Sequence, residues 1–170
     1  IATGKLADKH GILGFVEPDS AKMQVRPVLS TSRKVKAIWN MLTQKGFKTH
    51  VVGWWPSHPA EPINGVMVSN FYQRAVGGYH EPWPMADGTV HPKELSAVFE
   101  ELRVHPSELT LSHLAPIFPN YKKINQESDP RLAQGAKILA NAACIHNAST
   151  WIMENKEWDF LAVYHDAIDH

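Results

Sequence analysis

The chain has 170 residues with Lys plus Arg and Asp plus Glu balanced at 17 each, so it has no net field to draw in nucleic acid or an anionic membrane. With 44% hydrophobic content it is long enough to close one core, and one domain or most of one is expected. No apolar run approaches the roughly 20 residues that span a bilayer, and the lone cysteine, Cys144, excludes an intrachain disulfide and reads as a small buried hydrophobe on a helix.

Residues 1–5 read as the interior of an element, and the chain stops at His170 soon after an apolar strand, so both ends are expected to be cuts in a larger α/β enzyme. Residues 32–45 set Val35, Ile38, Trp39 and Leu42 at the spacing of an amphipathic helix, with Ser32 as N-cap and Gly46 just past the end. Residues 48–54 follow as a short strand centred on Val51 and Val52. Residues 56–92 hold prolines at 56, 59, 62, 82, 84 and 92 and glycines at 65, 77, 78 and 88, which limits regular structure to brief pieces. The same stretch is too aromatic for a disordered linker and is expected to wall a cleft.

Pro92 at a first helical turn, then Leu95, Val98, Phe99 and Leu102, predicts a second amphipathic helix ending near Arg103, and a short helix is expected after Pro106. Asp129 and Pro130 open a long helix running to about Asn155. The continuous apolar run at residues 160–164 is the pattern of a strand buried on both faces of a parallel sheet. The expected fold is therefore α/β, with a mostly parallel central sheet flanked by helices.

In such sheets functional residues gather at the carboxyl ends of the strands. One end delivers Trp54, Trp55 and Pro56; the other delivers His165, Asp166, Asp169 and His170. Carboxylates and imidazoles in this mixture suit zinc or manganese. Asp166 and His170 stand four apart and share a face on one helical turn, whereas Asp169 has its natural partner four residues on. A solvated turn capped by an aspartate is the alternative.

The stretches Ile1-Ala2-Thr3-Gly4-Lys5, His10-Gly11-Ile12, Gly53-Trp54-Trp55-Pro56, Pro59-Ala60-Glu61-Pro62 with Gly65 and Val68-Ser69, and Tyr164 with Ile168-Asp169 together resemble one family. This is the type I phosphodiesterase and nucleotide pyrophosphatase branch of the alkaline phosphatase superfamily, including its predicted phosphohydrolases and phosphomutases. The resemblance covers nearly all of residues 1–170, which are then a partial alkaline-phosphatase-like catalytic domain with residues 56–92 as its loop-rich cleft region. It implies hydrolysis of a small phosphate ester or nucleotide, with two divalent metals, zinc or manganese, held by aspartates and histidines.

It further implies a Ser or Thr nucleophile upstream of Ile1, at the start of a helix of which residues 1–5 are the remainder, so that Thr3 is not the nucleophile. The 170 residues alone are then expected to be inactive on phosphate esters. Asp169 maps onto the family's Asp-x-x-x-His metal pair and is preferred over the Asp166 and His170 register. Trp54, Trp55 and Pro56 resemble a stretch lining the substrate cleft, and Trp55 is the substrate-binding candidate, packing on the sheet edge being the other reading. His10 resembles a structural corner, and Asn64 and Ser69 are weaker site candidates. His50, His58, His80, His91, His105, His113 and His146 lack ligand spacing and read as surface or capping groups. A sulfatase or phosphomutase of the same superfamily, or a non-catalytic α/β interaction domain, are the competing functions. Few cysteines fit the cytoplasm, while zinc phosphoesterases include exported enzymes, which leaves localisation open.

Overall fold

The computed structural model describes residues 1–19, 21–74, 78, 80–125 and 127–167. In chain order the elements are α1 (Ala7–His10), β1 (Val16–Asp19), β2 (Gln24–Pro27), α2 (Ile38–Gln44), β3 (Thr49–Val52), β4 (Met67–Val68), β5 (Val90–His91), α3 (Ser96–Glu101), α4 (Leu111–Leu114), α5 (Arg131–Asn155) and β6 (Phe160–Val163). β1 and β2 form an antiparallel ribbon; the other four strands make one sheet in the order β5-β4-β3-β6. β3 runs parallel to both β4 and β6, and β5 closes the far edge antiparallel. The expected parallel pairing of the two apolar strands is present, with Thr49 opposite Phe160 and Val52 opposite Val163.

The two-residue period of β3 sorts its side chains between two helical layers. Val51, with Met67 of β4, packs against Ala37 and Trp39 at the start of α2. Val52 and Val68 face the other way, into a larger core with Phe99 of α3 and Cys144, Ile145, Ala148 and Ile152 of α5. Cys144 is the buried structural thiol the sequence suggested; burial pushes it up, and its Sγ accepts the Val104 N–H at 3.2 Å.

Several boundaries differ from expectation. α2 starts at Ile38, six residues after Ser32, because tertiary bonds hold the intervening backbone: Lys34 N donates to the His10 carbonyl and Ile38 N to the Ala2 carbonyl. Ser32 instead donates to Glu17 Oε1 at 2.7 Å, and Asn40 Oδ1 caps the Ala37 N–H at 2.9 Å. Residues 1–5 are a turn, closed by Gly4 N to the Ile1 carbonyl with Gly4 at φ 61°, so they do not continue a helix. Pro92 is extended and a 3-10 turn, Lys93–Leu95, precedes α3; the short helical stretch expected after Pro106 is present as the 3-10 turn Pro106–Glu108 followed by α4. α5 opens as expected, with Asp129 Oδ1 accepting the Arg131 N–H at 3.1 Å.

β6 is the outer strand of the sheet, and of its residues only Ala162 is buried, which corrects the reading of a strand covered on both faces. The long loop contributes β4 and β5, strands of two residues each, too short to show a period in a proline-rich stretch. At Gly65 a Cβ would lie 2.1 Å from the Thr49 carbonyl oxygen, so this close approach of loop to sheet admits only glycine.

His50 is not a surface group. It is 2% exposed, its Nδ1 accepts the Val66 N–H at 2.8 Å and its Nε2 donates to the Glu157 carbonyl at 3.0 Å. The Val66 bond requires an unprotonated Nδ1 and so the neutral ring, and burial, then the nearby Lys156 and Lys48, hold its pKa below the usual histidine range against the opposing pull of the Glu157 carbonyl. The unfolded chain therefore binds a proton that the native state refuses. Stability from His50 is complete above about pH 6.5 and declines as pH falls below it, by at most about 1.4 kcal/mol per pH unit. Urea unfolding of wild type and His50→Gln between pH 5 and 7.5 should show a shallower acid slope in the variant; parallel slopes would contradict this assignment.

Candidate functional site

Because β3, β4 and β6 are parallel, their carboxyl ends share one rim of the sheet. The ladder persists one residue beyond the strands, through Gly53 N to the Val68 carbonyl and Tyr164 N to the Val52 carbonyl, both 2.9 Å. The chains then diverge into Trp54 and Trp55, Ser69 and Asn70, and His165 and Asp166. An open cleft of about 330 Å³ lies there, lined by Phe15, Gly53, Trp55, Asn70, Gln73, Tyr164 and Asp166. Gly53, at φ 69°, is where the chain turns off the sheet; a Cβ on it would meet Ile145 Cδ1 at 2.7 Å and the Tyr164 carbonyl oxygen at 2.9 Å.

The adjacent tryptophans divide the two roles left open by the sequence. Trp54 packs inward, edge-on to Trp39 at 6.0 Å and tilted against Tyr164 at 5.9 Å. Trp55 faces the cleft, its ring 4.8 Å from that of Phe15, which arrives from the segment before β1. Trp55 also borders a second hollow of about 220 Å³, with Thr3, His10, Arg33 and Pro56 on its wall.

Two polar clamps fix the loop that carries Trp55. In the first, Asn70 Oδ1 accepts the Ser57 and His58 N–H groups at 2.9 and 3.0 Å, and Ser57 Oγ accepts the Asn70 N–H at 3.0 Å. His58 Nδ1 lies 3.1 Å from Ser69 Oγ, and its ring stacks on Phe71 at 3.9 Å. With its oxygen committed to the loop, Asn70 has its amide nitrogen to offer the cleft. In the second clamp Glu61 accepts from Arg33, from Trp39 Nε1 at 2.7 Å and from Asn40 Nδ2 at 3.2 Å. Arg33 is 5.3 Å from the Trp39 ring as well. Ser30 Oγ adds a bond to the Pro59 carbonyl at 2.7 Å.

The other sequence candidates separate accordingly. His58 is a half-buried packing group whose pKa burial lowers, not a surface one. His105 and His113 are capping groups, as expected, accepting the Ser107 and Thr110 N–H groups. His10 turns a corner, its Nδ1 accepting the Ile12 N–H beside Gly11 at φ 82°. Ser69 is wholly buried, and Asn64 holds the turn before β3 through the Gly46 and Phe47 carbonyls, away from the rim. Phe15, Asn70 and Gln73 were not foreseen; only Asn70, directly after Val68-Ser69, adjoins a stretch the sequence had singled out.

Asp169 lies outside the described residues, as do Ile168 and His170. Asp166 is the one acidic side chain lining the cleft among the described residues. Among those residues no three His, Cys, Asp or Glu side chains form a metal-holding group, so they do not make a metal set by themselves. No described helix is long and apolar enough to cross a membrane.

Neither a curated protein nor a solved structure matches the chain. A family model does, that of type I phosphodiesterase / nucleotide pyrophosphatase, and it spans residues 1–170. The chain therefore belongs to the type I phosphodiesterase and nucleotide pyrophosphatase family of the alkaline phosphatase superfamily.

Proposed function

We propose that the protein hydrolyses nucleotide-like phosphate esters at the carboxyl rim of its parallel strands. The family performs phosphoester hydrolysis of the phosphodiesterase and nucleotide pyrophosphatase type and is generally metal-dependent. The observation that carries the nucleotide reading is the cleft itself, which joins the half-buried indole of Trp55 and the exposed ring of Phe15 to polar groups at the end of a parallel sheet. Trp55 and Phe15 offer planar apolar surface to a base, Asn70 offers an amide N–H, and Asp166 sets a negative charge at the margin.

In this reading the nucleophile is a Ser or Thr that precedes Ile1, and Asp169 is a ligand to one of two divalent ions, zinc or manganese. Such ions supply positive charge against the phosphoryl group. The residues seen in the structure bind and orient the nucleoside side of the ester, which stays on phosphorus while the other ester oxygen departs.

Trp55→Ala tests the placement of the base. Base stacking on an aromatic side chain contributes about 1–3 kcal/mol. In the full-length protein kcat/KM for the p-nitrophenyl ester of a nucleoside 5′-phosphate is expected to fall ~10- to 100-fold, chiefly through KM. Bis(p-nitrophenyl) phosphate should be affected less. An unchanged KM for the nucleotide ester would place the base elsewhere.

A further inference from the structure

Asn70 stands just past the end of β4, half-buried in the wall of the rim cleft. Its Oδ1 accepts the Ser57 and His58 N–H groups at 2.9 and 3.0 Å. Those two donors fix which end of the amide is oxygen, since a turned amide would set its NH2 against them. Its Nδ2 donates to nothing among the described residues, yet it is not one of the buried polar atoms left unpaired there. The nitrogen therefore meets open space, and the space that Asn70 lines is the cleft.

The clamp by itself does not call for an amide. It uses an acceptor, and an aspartate carboxylate would accept the same two N–H groups more strongly. What asparagine adds is a pair of N–H donors, and no second negative charge in a cleft that already holds Asp166. An asparagine free to use both ends reads adenine, bonding its amino group and a ring nitrogen together. Here the oxygen is spent on the loop, so Asn70 reads an acceptor alone.

β3 lies between β4 and β6, so the carboxyl ends of β4 and β6 are about 10 Å apart across the sheet. A phosphoryl group held by Asp169, after β6, is separated from Asn70 by a span that suits a nucleoside. With the ring against Trp55, the edge leading towards Asn70 is the one farthest from the sugar, at C4 of a pyrimidine or C6 of a purine. A carbonyl oxygen there, as in uracil and guanine, accepts from Asn70; an amino group, as in cytosine and adenine, sets a donor against a donor.

We propose that Asn70 selects nucleotide esters whose base carries a carbonyl at that position, its locked amide donating to the oxygen. This rests on the reading that the cleft takes a nucleotide ester, and it names the class of base preferred. Asn70 is a specificity residue in this account; it has no part in bond making or breaking.

The test uses the full-length protein and Asn70→Asp, which keeps the acceptor of the clamp and exchanges the free donor for an acceptor. kcat/KM is compared for the p-nitrophenyl esters of uridine and cytidine 5′-phosphate, which share size and sugar and carry a carbonyl or an amino group at C4. Calorimetry compares uridine and cytidine 5′-monophosphate, and guanosine against adenosine repeats the comparison among purines. A ratio between two bases is insensitive to any general loss in the variant. One hydrogen bond accounts for roughly a ten-fold change, so wild type should favour uridine about ten-fold in both kcat/KM and affinity. In Asn70→Asp the preference should vanish or reverse. Wild-type ratios within about two-fold overturn the proposal while leaving the hydrolase reading in place, and they decide it even where the variant fails to fold. A preference that survives unchanged in folded Asn70→Asp also overturns it, assigning the choice to another group in the wall, such as Tyr164. Wild-type protein that cleaves neither ester, yet binds the uridine monophosphate tighter and loses that preference in Asn70→Asp, would sink the hydrolase reading while leaving Asn70 as the base selector.

Discussion

Replacing Asp169 with asparagine in the full-length protein is expected to remove most of one equivalent of bound divalent metal and to lower phosphodiester hydrolysis by more than about 100-fold. The magnitude follows from charge and geometry. Asparagine keeps the side chain's shape but loses the anionic oxygen that offsets the cation, and changes even to groups behind a metal ligand cost ~10- to 100-fold. Asp166→Asn is the internal contrast. Its carboxylate lines the cleft, so its loss should alter KM and leave metal content near wild type. Elemental analysis and initial rates on both variants decide between them. Normal metal content in Asp169→Asn would remove it from the ligand set, and a selective loss in Asp166→Asn would shift the ligand to the other register.

The second large effect is on stability. Glu61 receives three donors, from Arg33, Trp39 and Asn40, and the Arg33 and Glu61 side chains are 7% and 20% exposed. Glu61→Ala leaves the guanidinium and the indole N–H without that partner in a mostly dry setting. Breaking a buried pair from one side costs about 3–5 kcal/mol, far more than the pair contributes relative to an apolar replacement. Urea unfolding should show a loss near the lower end of that range, since Glu61 keeps some contact with solvent. The double replacement Arg33→Met with Glu61→Leu should recover part of it. A single-variant loss below about 0.5 kcal/mol would mean that the clamp does not hold the loop. Because the same clamp fixes the loop bearing Trp55, KM for the nucleotide ester should rise alongside.

What could be read in advance follows from how strongly each segment's neighbours dictate its pattern. β3, α5 and the parallel partner β6 were legible because their apolar runs and end signals are local, such as Asp129 before α5 and Gly46 after α2. The start of α2 was not, since residues 33–37 are kept from helix by bonds to residues 2 and 10, distant in sequence. The β1–β2 ribbon escaped because the less exposed positions of β1 are Glu17 and Asp19 and β2 is exposed throughout, leaving no apolar alternation to detect, and Pro18 and Pro27 argue against strands. β6 misled in the other direction: its apolar run has the composition of an interior strand, while its position here is the outer one.

The site was legible to the same degree. Trp55 was visible as an aromatic residue just past a strand, and the structure puts it in the cleft wall and packs the partly buried Trp54 against the core. Asp169 was singled out by resemblance alone. Nothing local marks Gln73 or Phe15, the latter reaching the cleft from a loop before a ribbon the sequence concealed. His50 and His58 were misread because an isolated histidine carries no sign of burial; His50 is packed within the sheet and His58 against the Phe71 ring.

The central claim, a metal-dependent phosphodiesterase acting at this rim, is tested most directly by the rate of bis(p-nitrophenyl) phosphate hydrolysis by the full-length protein before chelation, after it, and after return of zinc or manganese. The account predicts turnover that chelation abolishes and one of the two ions restores. Turnover indifferent to chelation, or none with either ion, would contradict it.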